Sequence, residues 1–503
     1  MSDKLPSELY AEGLSDRNPY ETRAKEIAKI SLPRVIREDG SNGGEELGDT
    51  VSQSFNGRLV NNLKSKIGMA LLPPSTSSFK LKPDAEAMET LFGENPDEKA
   101  REALYQKLSG STDVINTEIE NQQIRSSLFD MLTQMIIVGS CVVEKIPKSE
   151  GGGINVFPLK TFVVKLDSKG KPVMMVVKEV LVTLPEGVKA DETKEEWEMF
   201  TLLEMVEGGS WEMSQEIDGD LTGESSTFSD YDKLPFRYFG WEWLQGDTYH
   251  RGFAEDYYAD MKQIDALAKL NTQGAVIAAK SLILVNQRGG RTRKDVIANS
   301  INGAVVDGVA DDITAFQLQK GHDFQISNDR EKEIKRELQQ CFLDSGSVAR
   351  DAERVTAEEI RVMAQQLESS SLAGVYSKMS LDWSKWIVEQ VMDEVGIKFD
   401  AIEVNVLTGL DALGRSQESG KLDKFVERVM ALQLNGYVHE RELLNRYAGF
   451  DGISTIGLLK TTEEVAKARQ EAADAQAKQA MAESAGVAAG QEGGKRMAEK
   501  AIQ

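Results

Sequence analysis

The stretch Arg354–Arg361, Arg-Val-Thr-Ala-Glu-Glu-Ile-Arg, opens the longest helical pattern in the chain and limits what the rest can fold into. Thr356 followed by Glu359 is a capping box: the hydroxyl takes the backbone N–H three residues on, and the carboxylate reaches back. Downstream, Ile360, Met363, Leu367, Val375, Tyr376, Met379, Trp383, Trp386, Ile387, Val391 and Val395 recur at three- and four-residue steps. That spacing places them on one stripe until Gly396 stops the pattern. Such a run spans roughly 60 Å at 1.5 Å per residue, long for a globular helix. Ser369, Ser370, Ser371 and Gly374 sit in its middle, a composition that predicts a kink or two abutting helices. A helical scaffold or filament paired along a heptad seam is the alternative use of such a rod, but the irregular stripe and its Ser-Gly interruption do not sustain heptads. Upstream, Asp344–Glu353 is small and polar and reads as a loop feeding the rod, with Arg350 and Arg354 at its end.

A chain of 503 residues exceeds the size at which single cores stop growing, so two or more domains are expected. Its formal charge of −23 argues against gripping nucleic acid by neutralising phosphates, which needs a basic footprint. The same balance suits a wall that DNA slides past without sticking. Cys141 and Cys341 are far apart and form no metal-ligand spacing, so both are expected to be small core residues in a reducing, intracellular setting. The most apolar run, Met131–Val143, is too short to span a bilayer and is broken by Thr133, Gln134, Gly139 and Ser140. With a polar start lacking an apolar signal core, the chain reads as soluble and cytosol-made, with no membrane partner.

Residues 1 to about 15 are expected to fray. Asn18–Pro33 carries Pro at its first helical position and Pro just past its end. Phe55–Leu72, with Leu59, Leu63 and Ile67 on one face, is a second helix stopped by Pro73-Pro74, and Glu86–Leu108 and Asp113–Val138 are two more. From Ile154 the period changes to that of strands: Asn155–Pro158, Thr161–Leu166, Val173–Leu184, Glu198–Val206, Ser210–Glu216 and Phe236–Trp243. Asp167–Pro172 supplies turn chemistry within this α+β body. The aromatic series Phe236, Tyr238, Phe239, Trp241 and Trp243 reads as a half-buried strand in preference to a platform for bases. Arg251–Lys280 returns to helix, 281–328 to strands and turns, and Asp329–Asp344 to helix. Two helices bracketing a small insertion predict a hairpin stalk with a knob at its tip. Helices are expected near Lys421–Leu434 and His439–Ala448; beyond Thr461 the Ala/Gln-rich tail lacks a core.

Catalytic chemistry finds no foothold. There is no Walker A pattern, no GxSxG and no HExxH; Leu443 stands where His439-Glu440 would need a second histidine. His250, His322 and His439 form no local metal site and read as surface or hydrogen-bonded structural residues. Asp218, Asp220 and Glu224 lack the spacing of a calcium loop and read as a β-turn. No cofactor or metal is called for. In this acidic chain the loop holding Arg288, Arg291, Arg293 and Lys294 stands apart, either as a solvated hairpin turn or as a contact for an acidic partner, phosphates included. Arg350 and Arg354 pose the same choice, with loop position favouring a functional contact.

Five separated motifs carry a resemblance: Asn18–Ala24, Arg58–Lys66 with Ala70–Pro73, Glu353–Arg361, Gly374–Ser377 and Thr408–Arg415. Together they are similar, in order, to the head-to-tail connector (portal) proteins of short-tailed bacteriophages, the podovirus and autographivirus type. The resemblance implies a non-enzymatic ring, typically of twelve copies, at one capsid vertex of the virion, through which double-stranded DNA is packaged and ejected. It implies as partners the terminase large subunit, then a tail adaptor protein, with the major capsid protein and scaffold and internal core proteins around the ring. Under it, residues 1–17 are a flexible N-terminus, 18–250 a mostly helical wing with a β-rich part, 251–280 and 329–344 stem helices, and 281–328 a small α/β clip. Residues 345–355 are then the tunnel loop carrying Arg350 and Arg354, 356–396 the long kinked helix, 397–460 a helical crown, and 461–503 a tail that is helical or disordered.

Overall fold

The computed structural model describes residues 4–36, 52–74, 77–83, 98–184, 194–279, 282–285, 313–316, 321–344, 369–397, 402–406 and 422–429, with 362, 363, 365–367, 431, 443, 444, 447 and 467. Contacts divide the chain into Met1–Gly414 and Arg415–Gln503. In the second unit residues 422–429 are helical, and the Tyr447 hydroxyl donates to Asp423 (2.7 Å).

The first unit contains seven longer helices among its described residues: α1 (Pro6–Ile30), α2 (Phe55–Leu71), α3 (Glu98–Asn121), α4 (Ile124–Ile137), α5 (Tyr258–Ala279), α6 (Gly321–Cys341) and α7 (Ala373–Val395). The apolar stripe of the long rod is real on α7, where Trp383 and Trp386 are buried and meet the Phe239 ring edge-on at 5.6 and 6.0 Å. The Trp386 indole donates to the Leu234 carbonyl (3.2 Å), satisfying its one polar atom inside the core. Gly396 ends the helix at φ +76°, and the Ile397 amide returns to Met392 O (3.0 Å), a left-handed cap that glycine adopts without a Cβ penalty. The expected interruption is a turn over Ser369–Leu372, where Ser369 and Ser370 hydroxyls donate to Gln365 O and Leu367 O (2.8 and 2.7 Å). Thr356, Glu359 and Ile360 lie outside the described residues.

A five-stranded antiparallel sheet runs β4 (Phe162–Leu166), β5 (Pro172–Leu181), β6 (Trp197–Met205), β7 (Trp211–Ile217), β8 (Asp220–Phe228). The expected turn at Asp167–Lys171 joins β4 to β5, its aspartate accepting the Lys169 and Lys171 amides (2.8 Å each). A second sheet orders β3 (Ile154–Phe157), β2 (Ser140–Lys145), β9 (Phe236–Gly240). Most of the aromatic series is therefore core: Phe236, Tyr238, Phe239 and Trp241 are buried, while Trp243 lies beyond β9 and is only partly buried.

Several expectations are corrected. Residues 6–17 do not fray; they form the first half of α1, with Pro19 inside the helix. Leu9 and Tyr10 bury against Val163, Val176, Phe200 and Leu202, burial that outweighs a proline cost of about 3 kcal/mol. Arg17 locks the helix to the sheet by donating to Phe162 O of β4 and to Lys160 O in the turn before it (3.2 and 2.7 Å), and it also donates to Tyr10 Oη on its own helix (2.8 Å). The break between α3 and α4 falls at Gln122–Gln123, with Gln123 at φ 53°, and not between Leu108 and Asp113. A β-strand, β2, occupies the end of the apolar run, and β8 was missed because its Asp, Gly, Glu and Ser carry little strand signal. Part of the stretch read as a helical crown, 402–406, is strand β12, paired antiparallel with β1 (Phe79–Pro83) from near the start of the chain.

Candidate functional site

The hairpin foreseen between 251 and 344 is present as α5 and α6, with β10 (Leu282–Val285) and β11 (Ile313–Phe316) paired antiparallel in the chain between them. At 1.5 Å per residue the 22 residues of α5 extend about 33 Å. Two details differ from expectation. A single turn, Phe253–Asp256, precedes α5, and α6 begins at Gly321 rather than Asp329, so eight residues assigned to the insertion are helix. Tertiary contact explains the second: a Cβ at Gly274 would sit 2.0 Å from the Phe324 ring, so the glycine is what lets that ring lie on α5. The Ser327 hydroxyl donates to Asn271 Oδ1 (2.9 Å), and Asn271 Nδ2 donates to Glu331 (2.6 Å).

At the base of the hairpin, Phe342 is wholly buried between Phe253 and Tyr257, ring centroids 4.9 and 5.5 Å away. Immediately beyond it the chain is fastened to α2. Asn62 Nδ2 donates to Asp344 Oδ1 (3.0 Å), Arg58 lies 3.8 Å from the same carboxylate, and the Lys66 ammonium donates to the Leu343 carbonyl. Lys66 also reaches the far side of the intervening segment, donating to Gln366 Oε1 (3.3 Å). Burial holds the Lys66 pKa below the ordinary lysine range, with Asp344 opposing that shift. Arg58, Asn62 and Lys66, at i, i+4 and i+8, thus hold the chain just before residues 345–361, and Lys66 ties that corner to Gln366 beyond them. The sequence contained this stripe, but its partners lie hundreds of residues away and gave no local signal.

The residues singled out for contact, Arg350, Arg354, Arg288, Arg291, Arg293 and Lys294, all lie outside the described residues. What is described is the frame that carries them: the α2 clamp around 345–361, and the α5–α6 hairpin around 280–320. Asp218 (φ 54°) and Gly219 (φ 93°) form the two-residue turn joining β7 to β8, whereas Asp220 and Glu224, read with Asp218 as a β-turn, lie in β8. His250 is a structural residue, its Nδ1 2.9 Å from the Tyr238 hydroxyl and its pKa pushed down to about 3 by burial. Cys141 is buried and Cys341 half-buried. Among the described residues no group of three or more His, Cys, Asp and Glu side chains is placed to hold a metal ion, and no helix is long and apolar enough to cross a membrane.

Residues 7–397 match the family model described as bacteriophage head to tail connecting protein. The chain is 29% identical over 483 residues to the portal protein of Escherichia phage T7, covering 91% of this chain and 88% of that one. It is 29% identical over 474 residues to the portal protein of Enterobacteria phage T3, covering 90% and 87%. Among solved structures, a chain from the neck of an empty GTA particle aligns with 83% of this chain and 93% of its own length, at 11% identity and a TM-score of 0.39.

Proposed function

The chain belongs to the bacteriophage head to tail connecting protein family, and from that premise we propose that it is a phage portal, a structural protein of the virion neck. Twelve copies close a ring at one capsid vertex, and double-stranded DNA passes through it during packaging and ejection. The observation that carries this reading is the α5–α6 hairpin, rooted through Phe342 and fastened at Asp344 to α2. A rigid two-helix stalk of this kind, repeated around an axis, makes a tube wall.

The dimensions agree. Twelve helices side by side at about 10 Å give a circumference near 120 Å, an axis-to-axis diameter of about 38 Å and a bore near 28 Å, enough for a duplex with a thin water layer. A net charge of −23 per chain repels DNA from the wall and prevents a static complex. In this reading residues 18–250 are the wing, 251–280 and 329–344 the stem, with α6 extending it to Gly321. Residues 281–328, less that extension, form the clip that meets the terminase large subunit and then the tail adaptor, through Arg288, Arg291, Arg293 and Lys294. Residues 345–355 form the tunnel loop, where Arg350 and Arg354 face DNA and brake backward slippage. Residues 356–396 lead to the crown, around which the major capsid, scaffold and internal core proteins assemble; synthesis takes place in the host cytoplasm.

Negative-stain imaging with native mass determination of the purified protein tests the ring. Annular particles near twelve times the 55.5 kDa chain are expected. Filaments of open-ended mass would overturn the proposal.

A further inference from the structure

The two broad faces of the α5–α6 hairpin are unlike each other. On α6 the residues turned toward α5 are Phe324, Ser327 and Glu331, and on α5 they are Asn271 and Gly274. A quarter to a third of a turn to one side, α6 carries Lys332, Lys335, Arg336 and Gln339 with Asp329; Lys332 pairs with Asp329 (3.2 Å) and Lys335 with Glu331 (2.5 Å), and three cations against the one carboxylate on the stripe leave it net basic. That side is fixed in space. Lys335 and Gln339 line a hollow with Gln53, Ser54, Phe55 and Arg58, and Asp265 on the corresponding flank of α5 accepts the Ser52 amide (2.8 Å). The same flank of α5 continues through Lys269 and Thr272 to Val276, which is 53% exposed.

The opposite face carries Ile326, Arg330, Glu333 and Glu337 on α6, at i, i+4, i+7 and i+11, and Leu270 on α5. Because Gly274 lies against Phe324 and Asn271 against Ser327, Leu270 and Ile326 are nearly level, offset by about 3 Å along the axis. Both are large and apolar, and both are more than half exposed, at 58% and 59%. One face is therefore an apolar patch bordered by a net acidic stripe, in which Arg330 pairs with Glu333 (2.6 Å), and the other is net basic with its own exposed valine.

We infer that the acidic, apolar face of one copy packs on the basic face of the next, with Leu270 and Ile326 covering the Val276 flank and Glu333 and Glu337 meeting Lys332 and Arg336. The occupant is a second copy of this chain because the two faces complement each other in charge, whereas a twofold pair would set like charge against like. A contact between two different faces repeats head to tail, which is what closing a ring requires. The inference rests on the ring reading and assigns it an interface.

The test uses two charge-reversed full-length proteins, Glu333→Lys/Glu337→Lys and Lys332→Glu/Arg336→Glu. All four residues are exposed, and circular dichroism melts matching the parent protein verify each fold. Each variant alone is expected to lose ring particles by about tenfold or more in native mass, because every interface then opposes like charges. Equimolar mixing of the two restores rings by alternation, as does combining all four substitutions in one chain. Leu270→Asp lowers the ring fraction without charge rescue. Rings at parental yield from both reversed variants would overturn this interface while leaving the ring intact; a parent protein that forms no rings overturns the ring reading itself.

Discussion

Replacing Lys66 with methionine is expected to loosen both flanks of residues 345–361 at once while leaving the core untouched. Methionine keeps the apolar part of the side chain and removes the ammonium that donates to the Leu343 carbonyl and to Gln366 Oε1. Hydrogen bonds from a charged donor contribute roughly 1.5–3 kcal/mol each when buried. The site is half-buried, so solvent competes for both bonds, and methionine also relieves the desolvation that holds the Lys66 pKa down. The net local loss is about 1–2 kcal/mol, equal to a roughly 5- to 30-fold faster opening. Hydrogen exchange followed by mass spectrometry reads it directly in peptides spanning 339–344 and 362–367. Asn62→Ala, which removes the donor to Asp344 Oδ1 at the same corner, is expected to combine with Lys66→Met non-additively by 0.5 kcal/mol or more, on the order found for groups that share partners. Unchanged exchange in both peptides, with the substitution verified and the melting temperature equal to that of the parent, would refute the clamp.

Two further outcomes follow from buried charge. Glu394 joins the last turn of α7 to β2 by accepting from Lys145 (3.1 Å) and Gln122 (2.7 Å), and Lys145 is almost fully buried. Glu394→Ala leaves that ammonium with the Ile146 carbonyl and is expected to cost about 3–5 kcal/mol in urea unfolding, whereas Lys145→Met/Glu394→Leu recovers most of it. Glu144 is pushed up to about 7, first by burial and then by the neighbouring Glu179. Its folded form therefore holds a proton that the unfolded chain releases near 4.5, so its contribution to stability is present below that pH and falls as pH rises to 7. Glu144→Gln is expected to be more stable than the parent at pH 8 by at most about 3 kcal/mol, with the difference vanishing near pH 4; a pH-independent difference would rule this out.

Local signals carried the parts of this protein that were legible in its sequence. The boundaries of α2, from Phe55 to the Pro73-Pro74 stop, the turn at Asp167–Lys171, the break at Ser369–Leu372 and the glycine cap at Gly396 each depend on a few adjacent residues, and each is where the sequence placed it. So does the hairpin between 251 and 344, whose helical period and turn-rich insertion are written in order along the chain. The family motifs are likewise short and ordered, and they identified the head to tail connecting family. The early start of α1 and of α6 was not legible, because Leu9 and Tyr10 are held by sheet residues and Phe324 by a glycine fifty residues earlier. Nor was β12 legible, since its partner β1 lies at the other end of the unit. The clamp at Arg58, Asn62 and Lys66 is the same case within the candidate site: the stripe is visible on a helical wheel, but its meaning comes from Leu343, Asp344 and Gln366. Propensity, caps and turns act over four or five residues, so the sequence alone determines where elements begin and stop; which of them meet, and which marginal segments burial makes helical, is decided only when the chain is compact.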